Sequence, residues 1–331
     1  MGILINGVWS EEDRIIEDGA YVRPSSPIRL TSLAETVSDI EQNPGRFQLM
    51  ASRSCPWSHR TVILHGLKRL ETHIPIHYAH GERVEGYAMD DGQQWQIPGS
   101  STSIRHLHEL YTAHDKLFIG RPTVPVLWDS WSQSIVSNES ADIVLAFGKL
   151  LTPGAPAFTL RPKELAAQID IANDIIYNGL NNAVYRAGFA RSQEAYENAA
   201  NRVFETLDAL EHHLASSRYY FGDFLTETDV RIFPTLVRFD SIYYILFKCC
   251  RRRLVDYPNL WAYARDLYSW LPFASSVDFQ AMREASYLAD TSDPNPLIAI
   301  EPEADWTAKH HRSTLGGSHL VTPGGDKISG R

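Results

Sequence analysis

The sequence predicts an α+β protein in two parts: a small mixed α/β domain, then a larger all-helical one. Three observations predict it. Between Arg46 and Leu150, short apolar runs alternate with helical stretches in the order β-α-β-insert-α-β-β-α. Residues 151–162, Leu-Thr-Pro-Gly-Ala-Pro-Ala-Phe-Thr-Leu-Arg-Pro, then break the pattern with three prolines and a glycine. Beyond them apolar residues recur at helical spacing, as at Val203, Leu207, Leu210 and Leu214. A chain of 331 residues suits about two domains.

Each element has its own signal. Residues 1–45 are polar, interrupted by Pro24, Pro27 and Pro44, and read as an extension on the surface. Domain one spans 46–150. Arg46 to Ala51 is short enough for a strand. Pro56 to Leu70 reads as a helix, with Pro56 in the first turn and Val62, Ile63, Leu64 and Leu67 as apolar positions. Ile74 to Tyr78 is a second strand, followed by a polar insertion from His80 to Ser101. Ile104 to Tyr111 is a short helix, Thr123 to Trp128 a third strand and Ser134 to Val136 a fourth. A helix over Asn138 to Leu150 closes the domain. After the 151–162 linker, residues 163–310 form the helical domain. It contains Ala195 to Leu214, a variant capping box at Thr226-Glu227-Thr228-Asp229, and Leu260 to Leu271. Residues 311–331 are rich in Gly and Ser and read as a flexible tail.

Composition narrows the function. At 44% hydrophobic and 21% charged residues, a packed core is expected. A net charge of −9 without a long basic run argues against nucleic acid as a partner. No apolar run reaches membrane-spanning length, and the start lacks a signal-peptide pattern; Asn6 sits where a myristoylation motif wants Ser or Thr. Three cysteines, Cys55, Cys249 and Cys250, make a disulfide framework improbable and fit a reducing, cytoplasmic setting. The adjacent pairs His212-His213 and His310-His311 do not place two imidazoles on one helix face, so no metal is expected.

The chemistry centres on Ser52-Arg-Ser-Cys-Pro-Trp-Ser-His-Arg60. Cys55 just precedes Pro56 at a helix start, with Arg53, His59 and Arg60 nearby. A free thiol has a pKa near about 8.5, and helix N-termini and cations lower it. A buried structural thiol fits the same stretch. Position 58 is Ser, so the second sulfur of a Cys-x-x-Cys pair is missing, and a monothiol site must pass its disulfide to an outside thiol such as glutathione. Downstream, Thr123-Val124-Pro125 puts a proline at a strand start. In thioredoxin-like folds such a proline is cis and faces the cysteine, and its neighbour offers backbone groups to a peptide-like ligand. Ser137-Asn138-Glu139-Ser140 then opens a helix. Capping explains Ser and Asn there; Glu139 can also pair with an ammonium group while Ser140 and backbone amides hold the neighbouring α-carboxylate.

Taken together, Cys55-Pro-Trp-Ser-His-Arg, Arg121-Pro-Thr-Val-Pro-Val-Leu-Trp-Asp and Ile135-Val-Ser-Asn-Glu-Ser resemble the Xi-class, omega-like glutathione transferases, the S-glutathionyl-hydroquinone reductases. Leu180-Asn-Asn-Ala-Val-Tyr185 and Arg231-Ile-Phe-Pro-Thr-Leu-Val-Arg-Phe-Asp-Ser-Ile-Tyr243 continue the resemblance, over roughly residues 40 to 300. It implies a thioredoxin-like domain followed by an all-α glutathione-transferase domain, a homodimer, and glutathione as cosubstrate. It implies removal of glutathione from an aromatic conjugate through a Cys–glutathione mixed disulfide. By motif, Cys55 is the nucleophile and Tyr185 the proton donor. Tyr243 and Tyr287, the latter within Met282-Arg-Glu-Ala-Ser-Tyr287, belong over the aromatic ring. Trp95, Arg121, Thr123, Val124, Glu139 and Ser140 map to glutathione. The departures fall on the aromatic side. Leu246-Phe-Lys-Cys-Cys250 replaces His-Phe-Lys-Cys-Asn, Asn-Asn-Ala-Val-Tyr replaces Asn-Asn-Gly-Val-Tyr, and Tyr287-Leu-Ala-Asp-Thr lacks the family's later His. Two other readings therefore accompany the first: a pathway-specific catalyst acting on a larger quinone or aromatic natural product, and a homologue that binds glutathione without turnover.

Overall fold

The structure, a computed structural model, describes residues 2–11, 14–79, 83–90, 93–151, 157–288 and 297–330. The chain divides into two compact units. One takes Met1–Arg14, Pro24–Ala155 and Asp278–Pro296; the other takes Ile15–Arg23, Pro156–Val277 and Leu297–Arg331.

The first unit is built on a four-stranded mixed sheet. Its spatial order is Ser134–Ser137, Val126–Asp129, Phe47–Ala51, Ile76–Tyr78. The Phe47–Ala51 strand runs parallel to Ile76–Tyr78 and antiparallel to Val126–Asp129, with Met50 opposite both His77 and Val126. All five of its residues are buried and four are apolar, so it does not alternate; the polar one, Gln48, donates to the Gly45 carbonyl (2.6 Å). Two helices start at the motif residues Cys55 and Glu139. Pro56–Leu67 has Cys55 as N-cap and proline in the first turn, where a missing N–H costs nothing. Ser140–Lys149 begins on Glu139, whose carboxylate accepts the Ala141 amide. The two helices pack on one another. Lys68, buried just past the first, donates to the Leu150 carbonyl that ends the second (3.1 Å), and burial pulls its ammonium pKa down to about 8. The short helix lies at Leu107–His114, three residues later than the sequence places it, and the insertion before it holds a hairpin pairing Trp95–Gln96 with Ser103–Ile104.

Three expectations are corrected. The 1–45 extension is not irregular. It contains hairpins at Gly2–Ile5 with Val8–Glu11 and at Ile16–Glu17 with Ala20–Tyr21, and a helix at Leu33–Gln42. Leu4, Tyr21 and Ile40 are buried, and Leu4 exchanges backbone bonds with Gly120, a pairing invisible to local pattern. The 311–331 tail is not flexible: it forms a hairpin of His319–Val321 with Lys327–Ser329, tied back by Thr159 N to Val321 O (2.7 Å). Arg312, fully buried, donates to the Leu214 carbonyl, an acceptor left open at the end of the long helix Gln193–His213, and to the Arg218 carbonyl beyond it. The helical domain does not run unbroken from 163 to 310 either, because Asp278–Pro296, with Tyr287, belongs to the first unit. Of the linker, residues 152–156 lie outside the described residues.

The second unit holds the helices Ala166–Ile176, Ala183–Gly188, Gln193–His213, Glu227–Leu236 and Pro258–Tyr268. The Thr226 capping box forms: Asp229 Oδ2 accepts the Thr226 amide (2.8 Å), while Oδ1 accepts the Tyr263 hydroxyl (2.7 Å). Burial pushes the Asp229 carboxyl up.

In the first unit Arg46 forks onto Asp129 (2.9 and 2.7 Å). Burial alone would raise the Asp129 pKa, but Arg46, the Trp131 amide and Ser132 outweigh it and hold the carboxyl at about 2. A depressed folded pKa contributes stability above the unfolded value of about 4 and loses it as pH falls towards 2, on the order of 2 kcal/mol. Urea unfolding of Asp129→Asn beside the parent should therefore differ by that amount at pH 6 and converge near pH 2. An equal gap at both pH values would contradict this.

Candidate active site

Cys55 stands where the Phe47–Ala51 strand hands over to the Pro56–Leu67 helix, and only 7% of its surface is exposed. The Val124–Pro125 peptide bond is cis. Cys55 Sγ takes no capping bond from the first helical turn; it lies 3.6 Å from the Val124 carbonyl oxygen. Cys55 and the cis-proline edge are thus brought together. Trp95 packs, partly buried, against the apolar cluster that contains Cys55 and Val124. Ser58, one turn after Cys55, is fully buried, and its hydroxyl has no hydrogen-bond partner among the described residues. Ser54, next to Cys55, bonds Ser52 (2.9 Å) and receives the Arg83 guanidinium (2.7 Å).

Thr123 is fixed by a side chain that local reading passed over. The Tyr111 hydroxyl donates to the Thr123 carbonyl (2.7 Å) and accepts the Asn138 side-chain amide (3.1 Å). Asn138 also accepts the Ile28 amide (3.2 Å). The strand edge beside Cys55 and the helix start at Glu139 therefore share one polar network. Glu139 Oε1 accepts the Ala141 amide (2.9 Å), and Oε2 accepts the Ser26 hydroxyl (2.9 Å). Ser140 Oγ accepts Arg60 Nε (3.0 Å). The Arg121 guanidinium, two residues before Thr123, stands 3.4 Å from the Gly2 carbonyl. Tyr287 ends the helix Phe279–Tyr287, half-buried, and burial raises its phenol pKa.

In the second unit Tyr185 and Tyr243 come together, hydroxyl to hydroxyl 3.5 Å. Each sits at a π-helical turn, Tyr177–Asn181 before Tyr185 and Phe239–Tyr243. Gly179 is required there, since a Cβ would fall 2.3 Å from Thr206 Oγ1. Asn181 anchors the turn to Thr235 (2.7 Å). Phe189 and Phe247 complete an aromatic cluster around Tyr185, with ring centroids 5.7 and 5.3 Å away. The Arg23 guanidinium covers the Tyr185 ring at 4.9 Å and donates to Asn182 Oδ1 (2.7 Å). Arg23, like Ser26, comes from the N-terminal extension, where no sequence pattern flagged it.

All three cysteines are unbridged. Burial pushes the Cys249 thiol up to about 12, while Cys250 is exposed. Iodoacetamide at pH 8 should label Cys250 at least about tenfold faster than Cys249, since the thiolate is the reactive form. Peptide mass spectrometry over time reads the ratio, and equal rates would contradict the burial of Cys249.

Residues 193–266 match the family model described as glutathione S-transferase, C-terminal domain. The chain is similar to the glutathionyl-hydroquinone reductase YqjG of Escherichia coli K12, at 38% identity over 96% of this chain and all of that one. The glutathione-bound structure of YqjG superposes with a TM-score of 0.79, covering 94% of this chain and 99% of that one. The chain is also 38% identical to the glutathionyl-hydroquinone reductase PcpF of Sphingobium chlorophenolicum, over 91% of this chain and 96% of that one. A Xi-class transferase structure from Natrialba magadii matches with a TM-score of 0.83 at 33% identity, covering 96% and 98% of the two chains. With a thioredoxin-like domain that carries Cys55 beside a cis-proline, and relatives matched along nearly their whole length, the chain is a glutathione transferase of the Xi class and belongs to the glutathionyl-hydroquinone reductase family of enzymes.

Proposed function

We propose that this protein removes glutathione from S-glutathionyl-hydroquinones. The observation that carries the reading is Cys55 Sγ, at a helix start, 3.6 Å from the carbonyl preceding cis-Pro125. A peptide-like thioether paired along that edge brings its sulfur to the nucleophile. In the first step the Cys55 thiolate attacks the glutathionyl sulfur. An S–S bond forms, the aryl C–S bond breaks, and the bonding pair leaves on the ring carbon, which takes a proton. Hydroquinone departs, and a Cys55–glutathione mixed disulfide remains. A second glutathione thiolate then attacks the glutathionyl sulfur of that disulfide, releasing oxidised glutathione and restoring the Cys55 thiolate. The ring is reduced by two electrons and two glutathione sulfurs are oxidised, so no other reductant is needed.

An aryl carbanion is a poor leaving group, so the ring must react as its keto tautomer with a proton donor at hand. Tyr185 takes that role, with Tyr243 and Tyr287 polarising the ring oxygens. Trp95, Thr123 and Val124 hold the glutathione backbone and Glu139 with Ser140 its amino-acid head, while Arg121 answers a carboxylate. No metal is invoked. Ser58 supports a monothiol cycle, since it cannot close an internal disulfide. The enzyme acts in the cytoplasm as a homodimer, a setting consistent with three unbridged cysteines. The test is stoichiometry: each conjugate consumed with glutathione should yield one hydroquinone and one oxidised glutathione. Growth of a conjugate from quinone and glutathione, without oxidised glutathione, would show a conjugating transferase instead.

Replacement of the family's His by Leu246 favours a larger, less polar ring than benzohydroquinone as the natural substrate. A glutathionyl-naphthohydroquinone should then exceed the benzohydroquinone conjugate by about tenfold or more in kcat/KM, roughly the value of one buried CH₂ group. Equal or reversed preference would remove that refinement and leave the reaction intact.

A further inference from the structure

A cavity of about 450 Å³ opens in the second unit between the end of the helix Pro258–Tyr268 and residues 306–310. Small-molecule sites occupy about 300–1,000 Å³. None of the residues placed at the candidate active site lines it. One wall is aromatic. The Trp306 ring stands 5.5 Å from Tyr268, and Trp261 meets it edge to face at 4.8 Å. The charge is one-sided. On a chain of net charge −9, no carboxylate among the described residues lines the cavity, whereas Arg265, Lys309 and His310 do. Arg265 Nη1 donates to the Ala308 and Lys309 carbonyls (3.2 and 2.9 Å) and Nε to the Trp261 carbonyl (3.4 Å). The guanidinium is thus fixed, and its Nη2 has no acceptor among the described residues. Burial lowers the Arg265 pKa and Asp305 offsets part of that, so added negative charge is favoured beside it. Lys309 is exposed, and its ammonium pairs with no described residue. The nearby acids are engaged elsewhere. Asp305 accepts the Thr307 amide and hydroxyl (2.9 and 2.7 Å). Asp266, fully buried, is forked by Arg218 (2.8 and 3.0 Å).

We propose that this cavity is a second ligand site, built from residues the reaction does not use, and that it takes a planar aromatic carboxylate of one or two rings. The ring stacks on Trp306 and Tyr268, and the carboxylate lies on Arg265 Nη2 and the Lys309 ammonium. A neutral arene leaves both cations unanswered, and an inorganic anion leaves the ring wall bare. The site therefore selects the two features in one molecule.

The experiment titrates full-length enzyme by calorimetry with naphthoate and with naphthamide, its uncharged counterpart. Saturating S-hexylglutathione, which carries no ring, is present throughout to fill the Cys55 site. One naphthoate per chain should bind, about tenfold or more tighter than naphthamide, as a hydrogen bond to a charged group does. Lys309→Gln, an exposed change that leaves the walls in place, should weaken naphthoate about threefold, the size of a surface ion pair, and leave naphthamide unchanged. Arg265→Gln should bring the two ligands within about threefold. Trp306→Ala should weaken both by one factor, up to about tenfold. Arg265 also tethers residues 308 and 309, so Lys309→Gln carries the test if Arg265→Gln does not fold. Equal affinities in the parent, a preference that both cation variants leave unchanged, or no binding beside S-hexylglutathione would overturn the inference. Displacement of naphthoate by sodium sulfate at equal concentration would show a site for anions without the ring, and would overturn it as well.

Discussion

Cys55→Ser loses hydroquinone release by about a thousandfold or more, because the attack on a glutathionyl sulfur needs a soft, ionised nucleophile and a serine hydroxyl is neither. The fold should survive the change. The sulfur's near partner is a single carbonyl, that of Val124 at 3.6 Å, and the helix start is set by Pro56 rather than by a side-chain cap. Its thermal midpoint should stay within a few degrees of the parent, and glutathione should still bind at Glu139 and Ser140. Discontinuous assay of hydroquinone by chromatography reads the loss. Residual turnover within about tenfold of the parent would place the nucleophile elsewhere.

Tyr185→Phe drops the first half-reaction by roughly 10²–10⁴-fold, the range for a positioned acid. Only protonation of carbon needs that acid. Exchange with a small disulfide, where the leaving group is a thiolate, should proceed at the parent's rate in the same variant. The split between the two substrates separates a lost proton from a damaged site. Tyr243→Phe removes the hydroxyl 3.5 Å from that of Tyr185 and should cost less, because Arg23 still covers the Tyr185 ring. If Tyr185→Phe slowed both substrates alike, proton donation would have to be reassigned.

The surroundings of Cys55 were legible for a physical reason. Pro56 at a helix start, Pro125 before a strand and Glu139 ahead of an apolar run are constraints written within a few residues. The sheet and its helices were legible likewise, since five buried residues in a row and a helical stripe are local patterns. The rest lies in long-range pairing. Arg60 and Ser140 are 80 residues apart, Ser26 and Glu139 113, and Tyr111 meets Thr123 across the end of a helix and a turn. Nothing local distinguishes such side chains from ordinary solvated ones. The extension failed as a surface coil for the same reason, because its short strands are defined by partners such as Gly120. Glycine and serine suggested a loose tail, and the buried Arg312 shows what composition misses: one cation ties the segment to the carbonyls of Leu214 and Arg218.

The central claim is a covalent relay through one sulfur. Its most direct measurement is intact-protein and peptide mass spectrometry after a single turnover with a glutathionyl-hydroquinone and no free glutathione. The account predicts one glutathione per chain, on the peptide containing Cys55, matched by one equivalent of hydroquinone and removed by added glutathione. Hydroquinone released with no adduct on Cys55, or with the adduct on Cys250 instead, would contradict it.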